Sequence, residues 1–259
     1  MPNAKELAVE MEFLRLFLCG DAGTGKSVFA ASCPEKMFLF NFDNSALSYR
    51  GIDCDYENYA ASTAGWLKFE KDLLALKKKF AEDPTWYKTV VIDSTTSMSE
   101  VAMERALALD PKRSKTNGPM WNVHYGMVKN LISGKIRQIL ELPCNIVVIG
   151  HFVRIIDNDS GAVVGVEPML NGDLSMRLPT WFDEVYYSDT VPIPIAKQKT
   201  VDGKTQKVDF ILRTIVKGHF KSRSRISGKA QILPAEIPND YNVIKDLVEK
   251  ARAKESKNV

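Results

Sequence analysis

Apolar residues fall in short runs along this chain, each followed by an amphipathic stretch or a cluster of breakers. Residues 13–19 (FLRLFLC) stop at a glycine-rich turn and predict a buried strand, with SVFAASC continuing as a helix. KMFLFNF at 36–42 predicts a second strand that ends in Asp43, Asn44 and Ser45. From about Gly65 to Phe80 the period turns helical, with Trp66, Phe69, Leu73, Leu74 and Leu76 on the inner side and Lys77 to Lys79 near the end. TVVID at 89–93 predicts the third strand, and a helix follows from about Met98 to Leu109.

DPKRSKTNGP at 110–119 is a basic, breaker-rich loop. A long amphipathic helix over about 120–141 leads to the apolar run NIVVIGHFV at 145–153. Residues 157–173, rich in Gly, Asp and Asn, read as a loop or a short hairpin. EVYYSD and KVDFILRT are strands bracketing a hairpin whose turn is Asp202-Gly203, and a helix over about 240–254 precedes a charged end. There is no internal repeat and no linker. The expected fold is one α/β domain over 1–259, a mostly parallel central sheet flanked by helices with C-terminal hairpin strands. Residues 1–12 form a short lead and 240–259 a helix with a frayed tail.

A chain of 259 residues, 45% hydrophobic and 26% charged, is a globular protein, not a disordered tail, a collagen or a disulfide miniprotein. No apolar run approaches the roughly 20 residues of a membrane span. The N-terminus carries acids where a signal peptide needs a basic start, so a cytoplasmic protein without a membrane partner is expected. Cys19, Cys33, Cys54 and Cys144 lack CxxC spacing and read as buried free thiols; His124, His151 and His219 lack ligand spacing. The net charge of +3 hides a division. Residues 1–110 hold 12 Lys+Arg and 17 Asp+Glu, a net of −5, and the remainder holds 23 against 15, a net of +8. Residues 197–229 alone hold ten basic residues and two acids, a polyanion-facing stretch or a solvated surface.

Gly20-Asp21-Ala22-Gly23-Thr24-Gly25-Lys26-Ser27 fits G-x-x-x-x-G-K-[ST], with a strand before it and a helix after it. Glycines let the backbone wrap so tightly that N–H groups point at phosphate oxygens, and the following helix offers its positive end. Lys26 reaches the β- and γ-phosphates and the Ser27 hydroxyl ligates Mg²⁺. The motif implies a nucleoside triphosphate, ATP, with Mg²⁺. Asp93, at the tip of the third strand, is placed to hold that Mg²⁺ through water. Hydrolysis needs a further group to orient water. Asp43, just beyond the second strand, is the candidate, with Glu100 the competitor and a helix-cap role the alternative. His151 follows the VVIG strand, where a polar side chain can sense the γ-phosphate or simply sit at the core edge.

On GDAGTGKS, FLFNFDNSALSYRG, VVIDSTTSM, IVVIGHFV and VEPMLNGDLSMRLPTWFDEVYYSD, roughly residues 13–225, the chain resembles RecA-type P-loop ATPases. More narrowly it is similar to the phage RecA-core-like ATPases of single-strand annealing and recombination. The resemblance implies that Asp43, or Asn44 one residue on, takes the catalytic acid's position and His151 that of the γ-phosphate sensor. It implies two loops contacting single-stranded DNA: 110–119 with Lys112, Arg113 and Lys115, and 154–172 starting with Arg154. Neither loop interleaves aromatics, so phosphate-driven, salt-sensitive binding is expected. In such oligomers a neighbour's cation completes the site, and Lys221, Arg223 and Arg225 are the candidates, with a DNA-facing surface as their rival role. The implied partners are single-stranded DNA, further copies with ATP at the subunit interface, and a single-strand DNA-binding protein, in the host cytoplasm if phage-encoded. Only about a dozen residues precede the first strand, so RecA's polymerisation arm is expected to be missing. A non-hydrolysing scaffold and a small-molecule P-loop kinase are the alternatives.

Overall fold

Alternating strands and helices wind the chain into one central sheet, seen in a computed structural model that describes residues 11–198, 200–201, 204–216, 218–227 and 232–255. In chain order come β1 (Arg15–Gly20), α1 (Lys26–Ala31), β2 (Met37–Asn41), β3 (Cys54–Asn58), α2 (Thr63–Glu82), β4 (Thr89–Asp93), α3 (Thr95–Leu109), α4 (His124–Leu140) and β5 (Asn145–Gly150). Next are the hairpin β6 (Phe152–Ile156) and β7 (Val163–Pro168), the short α5 (Leu174–Arg177) and β8 (Glu184–Pro192). The small ladder β9 (Thr200–Val201) and β10 (Lys204–Thr205) precedes β11 (Val208–Arg213), β12 (Arg223–Ser224), β13 (Glu236–Pro238) and α6 (Tyr241–Glu255).

The sheet runs β13-β11-β8-β1-β5-β4-β2-β3, with β12 paired to β8. Strands β3, β2, β4, β5, β1 and β8 are mutually parallel. β11, β12 and β13 are antiparallel additions. Because both faces are covered, central strands are apolar throughout rather than alternating. In β1, Phe17 and Cys19 enter the core under α2, α3 and α4, while Leu16 and Leu18 enter the core under α1 and α6.

Ser62 caps α2 by accepting from the Gly65 N–H at 3.0 Å. The buried stripe is Trp66, Phe69, Leu73, Leu76 and Phe80. Leu74 was expected on this inner side but is 57% exposed, because it lies one residue off the stripe. Strand β3 (CDYEN) was not anticipated. It is an edge strand whose side chains are mostly exposed, held by backbone pairing to β2, so it carries no apolar signal. Of the two readings of 157–173, loop or short hairpin, the hairpin holds: the segment over 154–172, also expected as a DNA-contacting loop, is largely the β6–β7 hairpin followed by the approach to α5. Asp202 and Gly203, expected as a hairpin turn, lie outside the described residues. Cys19, Cys33 and Cys144 are buried free thiols and Cys54 is half-buried. Among the described residues no helix is long and apolar enough to cross a membrane.

Candidate nucleotide-binding site

Between the end of β1 at Gly20 and the start of α1 at Lys26, the chain must turn tightly against β8 and the C-terminal strands. A Cβ at Gly20 would lie 2.8 Å from the Ser188 carbonyl oxygen. Gly25 has φ +88, and a Cβ there would meet Asn239 Nδ2 at 2.6 Å, so both positions require glycine. Ser188 Oγ donates to the Thr24 carbonyl, and Thr24 Oγ1 to that of Asp21 at 2.9 Å, which fixes the loop on the sheet. The loop forms one wall of a cavity of about 350 Å³, lined by Ala22, Gly23, Gly25, Lys26, Ser27, Val28, Asp43, Ser48, Asp93, His151 and Phe210.

Lys26 is buried, and its ammonium donates to the Gly20 and Asp21 carbonyls at 3.0 and 2.7 Å, leaving one N–H for a phosphate oxygen. Burial lowers its pKa, and the nearby Asp93 carboxylate opposes that shift. Ser27 Oγ donates to Asp93 Oδ2 at 2.7 Å. Burial pushes Asp93 up to about 6, with the charge of Asp43 adding to the rise and the Ser27 hydrogen bond resisting it. The Tyr49 hydroxyl is buried beside this carboxylate, and burial, with the Asp93 charge adding to it, raises its pKa. The Ser27 hydroxyl and the desolvated Asp93 carboxylate, both lining the cavity, are hard oxygen donors suited to a small hydrated cation, so Mg²⁺ fits here.

Asp43 is braced onto the end of β4. Its Oδ1 accepts from Ser94 N–H at 3.2 Å and Ser94 Oγ at 2.8 Å, and its own N–H donates to the Asp93 carbonyl at 3.0 Å. Asn44, the neighbouring alternative, has φ 55 and turns its amide back to the Phe42 carbonyl at 3.3 Å. Glu100 is exposed on α3 and does not line the cavity. The His151 N–H donates to Thr96 Oγ1 at 3.2 Å. Burial, reinforced by the Lys26 charge, holds the His151 pKa below its usual 6.5, so the ring enters the cavity neutral at pH 7.

A family model described as an AAA domain (AAA_24) matches residues 12–225. The chain belongs to this family. Its sheet is mostly parallel and helix-flanked, with β5 between the loop-bearing β1 and the Asp93 strand β4, the arrangement expected of a P-loop core. Among solved structures it is similar to a KaiC-like protein from the hyperthermophilic archaeon Pyrococcus horikoshii, at 12% identity and a TM-score of 0.43 over 82% of this chain and 83% of that one. No curated protein matches the chain in sequence.

Other expected site residues of this AAA domain lie elsewhere. Lys112 and Lys115 are exposed on the 110–119 loop. Arg113 is exposed too, and its guanidinium donates to the carbonyls of Leu107, Asp110 and Lys112 at 3.0–3.3 Å, closing the end of α3. Buried His124 clasps the same loop: its Nδ1 accepts from the Met120 N–H at 2.8 Å and its Nε2 lies 2.9 Å from the Asp110 carbonyl. No aromatic interleaves the 110–119 loop itself; just past its end Trp121 is 70% exposed and packs on Tyr125 with ring centroids 4.7 Å apart. Arg154 sits on strand β6, paired with Asp21 of the phosphate loop and stacked over Phe152. Arg223 and Arg225, expected as free cations, are engaged within the chain. Arg223 donates to the Pro179 and Phe182 carbonyls, and Arg225 pairs with Asp183 at 2.7 Å. Register places Arg223 beside Val185, whereas Gly20 lies beside Ser188, so both arginines sit toward the sheet edge opposite the phosphate loop. Lys221 remains 69% exposed, with Glu167 4.0 Å away. Sequence reasoning missed Ser48, Tyr49, Ser94 and Phe210. Ser94 alone had a signal, directly following Asp93.

Proposed function

We propose that this AAA domain is a Mg²⁺-dependent ATPase that binds single-stranded DNA, in phage-type recombination or single-strand annealing in the host cytoplasm. The carrying observation is that Lys26, Ser27, Asp93, Asp43 and His151 converge on one cavity at the C-terminal edge of the parallel strands. Loop N–H groups and the Lys26 ammonium bind the phosphates. Ser27 and Asp93 would hold Mg²⁺, which when bound would supply positive charge against the triphosphate. Asp43, fixed by Ser94, leaves its second carboxylate oxygen to orient the attacking water. Neutral His151 reports on the γ-phosphate through a hydrogen bond.

Support for a nucleic-acid partner is the +8 balance of residues 111–259 and the exposure of Lys112, Lys115 and Trp121 in or just after the 110–119 loop. Trp121 adds a stacking surface to what is otherwise phosphate contact. Further copies of the chain bring Lys221 to a neighbour's site, and a single-strand DNA-binding protein delivers the strand. The test is ATP turnover with and without single-stranded DNA, beside anisotropy binding over roughly 50–300 mM salt. Stimulated turnover and affinity that falls steeply with salt are expected. Turnover indifferent to DNA with a flat salt profile would remove the DNA role, and bound ATP without turnover would point to a nucleotide-gated scaffold.

A further inference from the structure

The strand order divides the cavity. Asp43 beyond β2, Asp93 on β4 and His151 after β5 all lie on one side of β1, whereas β8 and β11 lie on the other. On that second side the wall is Phe210 from β11, and Val28 from α1 adds a further apolar side chain to the cavity lining. Phe210 shares a sheet face with Leu212, since side chains alternate along a strand. Leu212 is fully buried beneath α1 and α6, but Phe210 lies one step farther out and remains 43% exposed, with Val28 56% exposed. The Phe210 ring is held close to the phosphate loop, its Cδ1 3.2 Å from where a Gly25 Cβ would be. Asn239 makes that placement: its Nδ2 donates to the Gly25 carbonyl at 2.8 Å and its backbone N–H to the Phe210 carbonyl at 3.1 Å. Its Oδ1 has no hydrogen-bond partner among the described residues.

We propose that the nucleobase of the bound nucleotide stacks on Phe210 against Val28, and that Asn239 is the positioning residue that fixes this seat to the phosphate loop. This rests on the ATP-site reading above. With the phosphates anchored by Lys26 and Ser27 and the acids on one side, a flat aromatic base finds its apolar partner only on the β11 side of the loop among the cavity's walls. Stacking on Phe210 discriminates nucleotides from bare polyphosphates and contributes affinity without touching the reacting atoms.

The test compares calorimetric binding of Mg²⁺-ATP with Mg²⁺-tripolyphosphate, which has no base. The unaltered chain should bind ATP more tightly than tripolyphosphate. Phe210→Ala should weaken ATP about tenfold, a stacking-sized loss, and leave tripolyphosphate unchanged. Phe210→Tyr should retain ATP binding, and Asn239→Ala should narrow the ATP-to-tripolyphosphate ratio in the same direction. A ratio unchanged in a folded Phe210→Ala chain would overturn the seat while leaving the phosphate site standing. If neither ligand bound the unaltered chain, the ATP-site reading would fall and the seat with it.

Discussion

Asp93 is held at a cost to the fold. Its folded-state pKa of about 6 exceeds the ordinary 3.8, so the native protein takes up a proton more readily than the unfolded chain. The penalty is absent below about 3.8, grows as pH rises and is complete above about 6. Asp93→Asn should therefore stabilise the fold at pH 7.5 by on the order of 2 kcal/mol, a gain that fades toward pH 4, while Mg²⁺-dependent nucleotide binding is lost. Denaturant melts at both pH values check it, and a destabilised variant at pH 7.5 would contradict it. Residues whose spacing states their chemistry were legible at this scale: the loop from Gly20 to Ser27, and Asp93 at a strand tip. Phe210 was not, because it reaches the cavity by tertiary approach from a strand without a motif.

At the scale of elements, α2 is the clearest case of pattern becoming packing. Phe69 makes ring contacts with Phe40, Phe42, Tyr59 and Trp66 at centroid distances of 5.1–5.6 Å, joining the helix to β2 and the chain beyond β3. Phe69→Ala should cost about 3–5 kcal/mol, read as a lowered denaturation midpoint, because the rigid aromatic neighbours cannot collapse into the space. A loss under about 1 kcal/mol would mean the cluster repacks. Central strands and amphipathic helices were readable since their burial is written in apolar residues. Edge strand β3 was not, as backbone pairing needs no apolar side chain. The β6–β7 hairpin was half readable: its Gly- and Asp-rich turn was visible, but the pairing of Arg154 with Asp21 joins residues 133 positions apart.

For the whole molecule, the sheet brings a −5 half and a +8 half together around β1. Acids gather with the phosphate loop, and the later strands contribute the apolar wall and much of the basic surface. The arginines at 223 and 225 show why composition overstated the free charge: their positive ends close internal carbonyls and an internal carboxylate. What remains is one cavity lined by the residues proposed as phosphate loop, cation site and water-orienting acid. Steady-state Mg²⁺-ATP hydrolysis by Asp43→Ala, on samples shown to bind ATP, tests that arrangement most directly. Turnover should fall by about a hundredfold or more relative to the unaltered chain, whose binding the variant retains. Turnover at the unaltered rate would contradict Asp43 as the group that orients water.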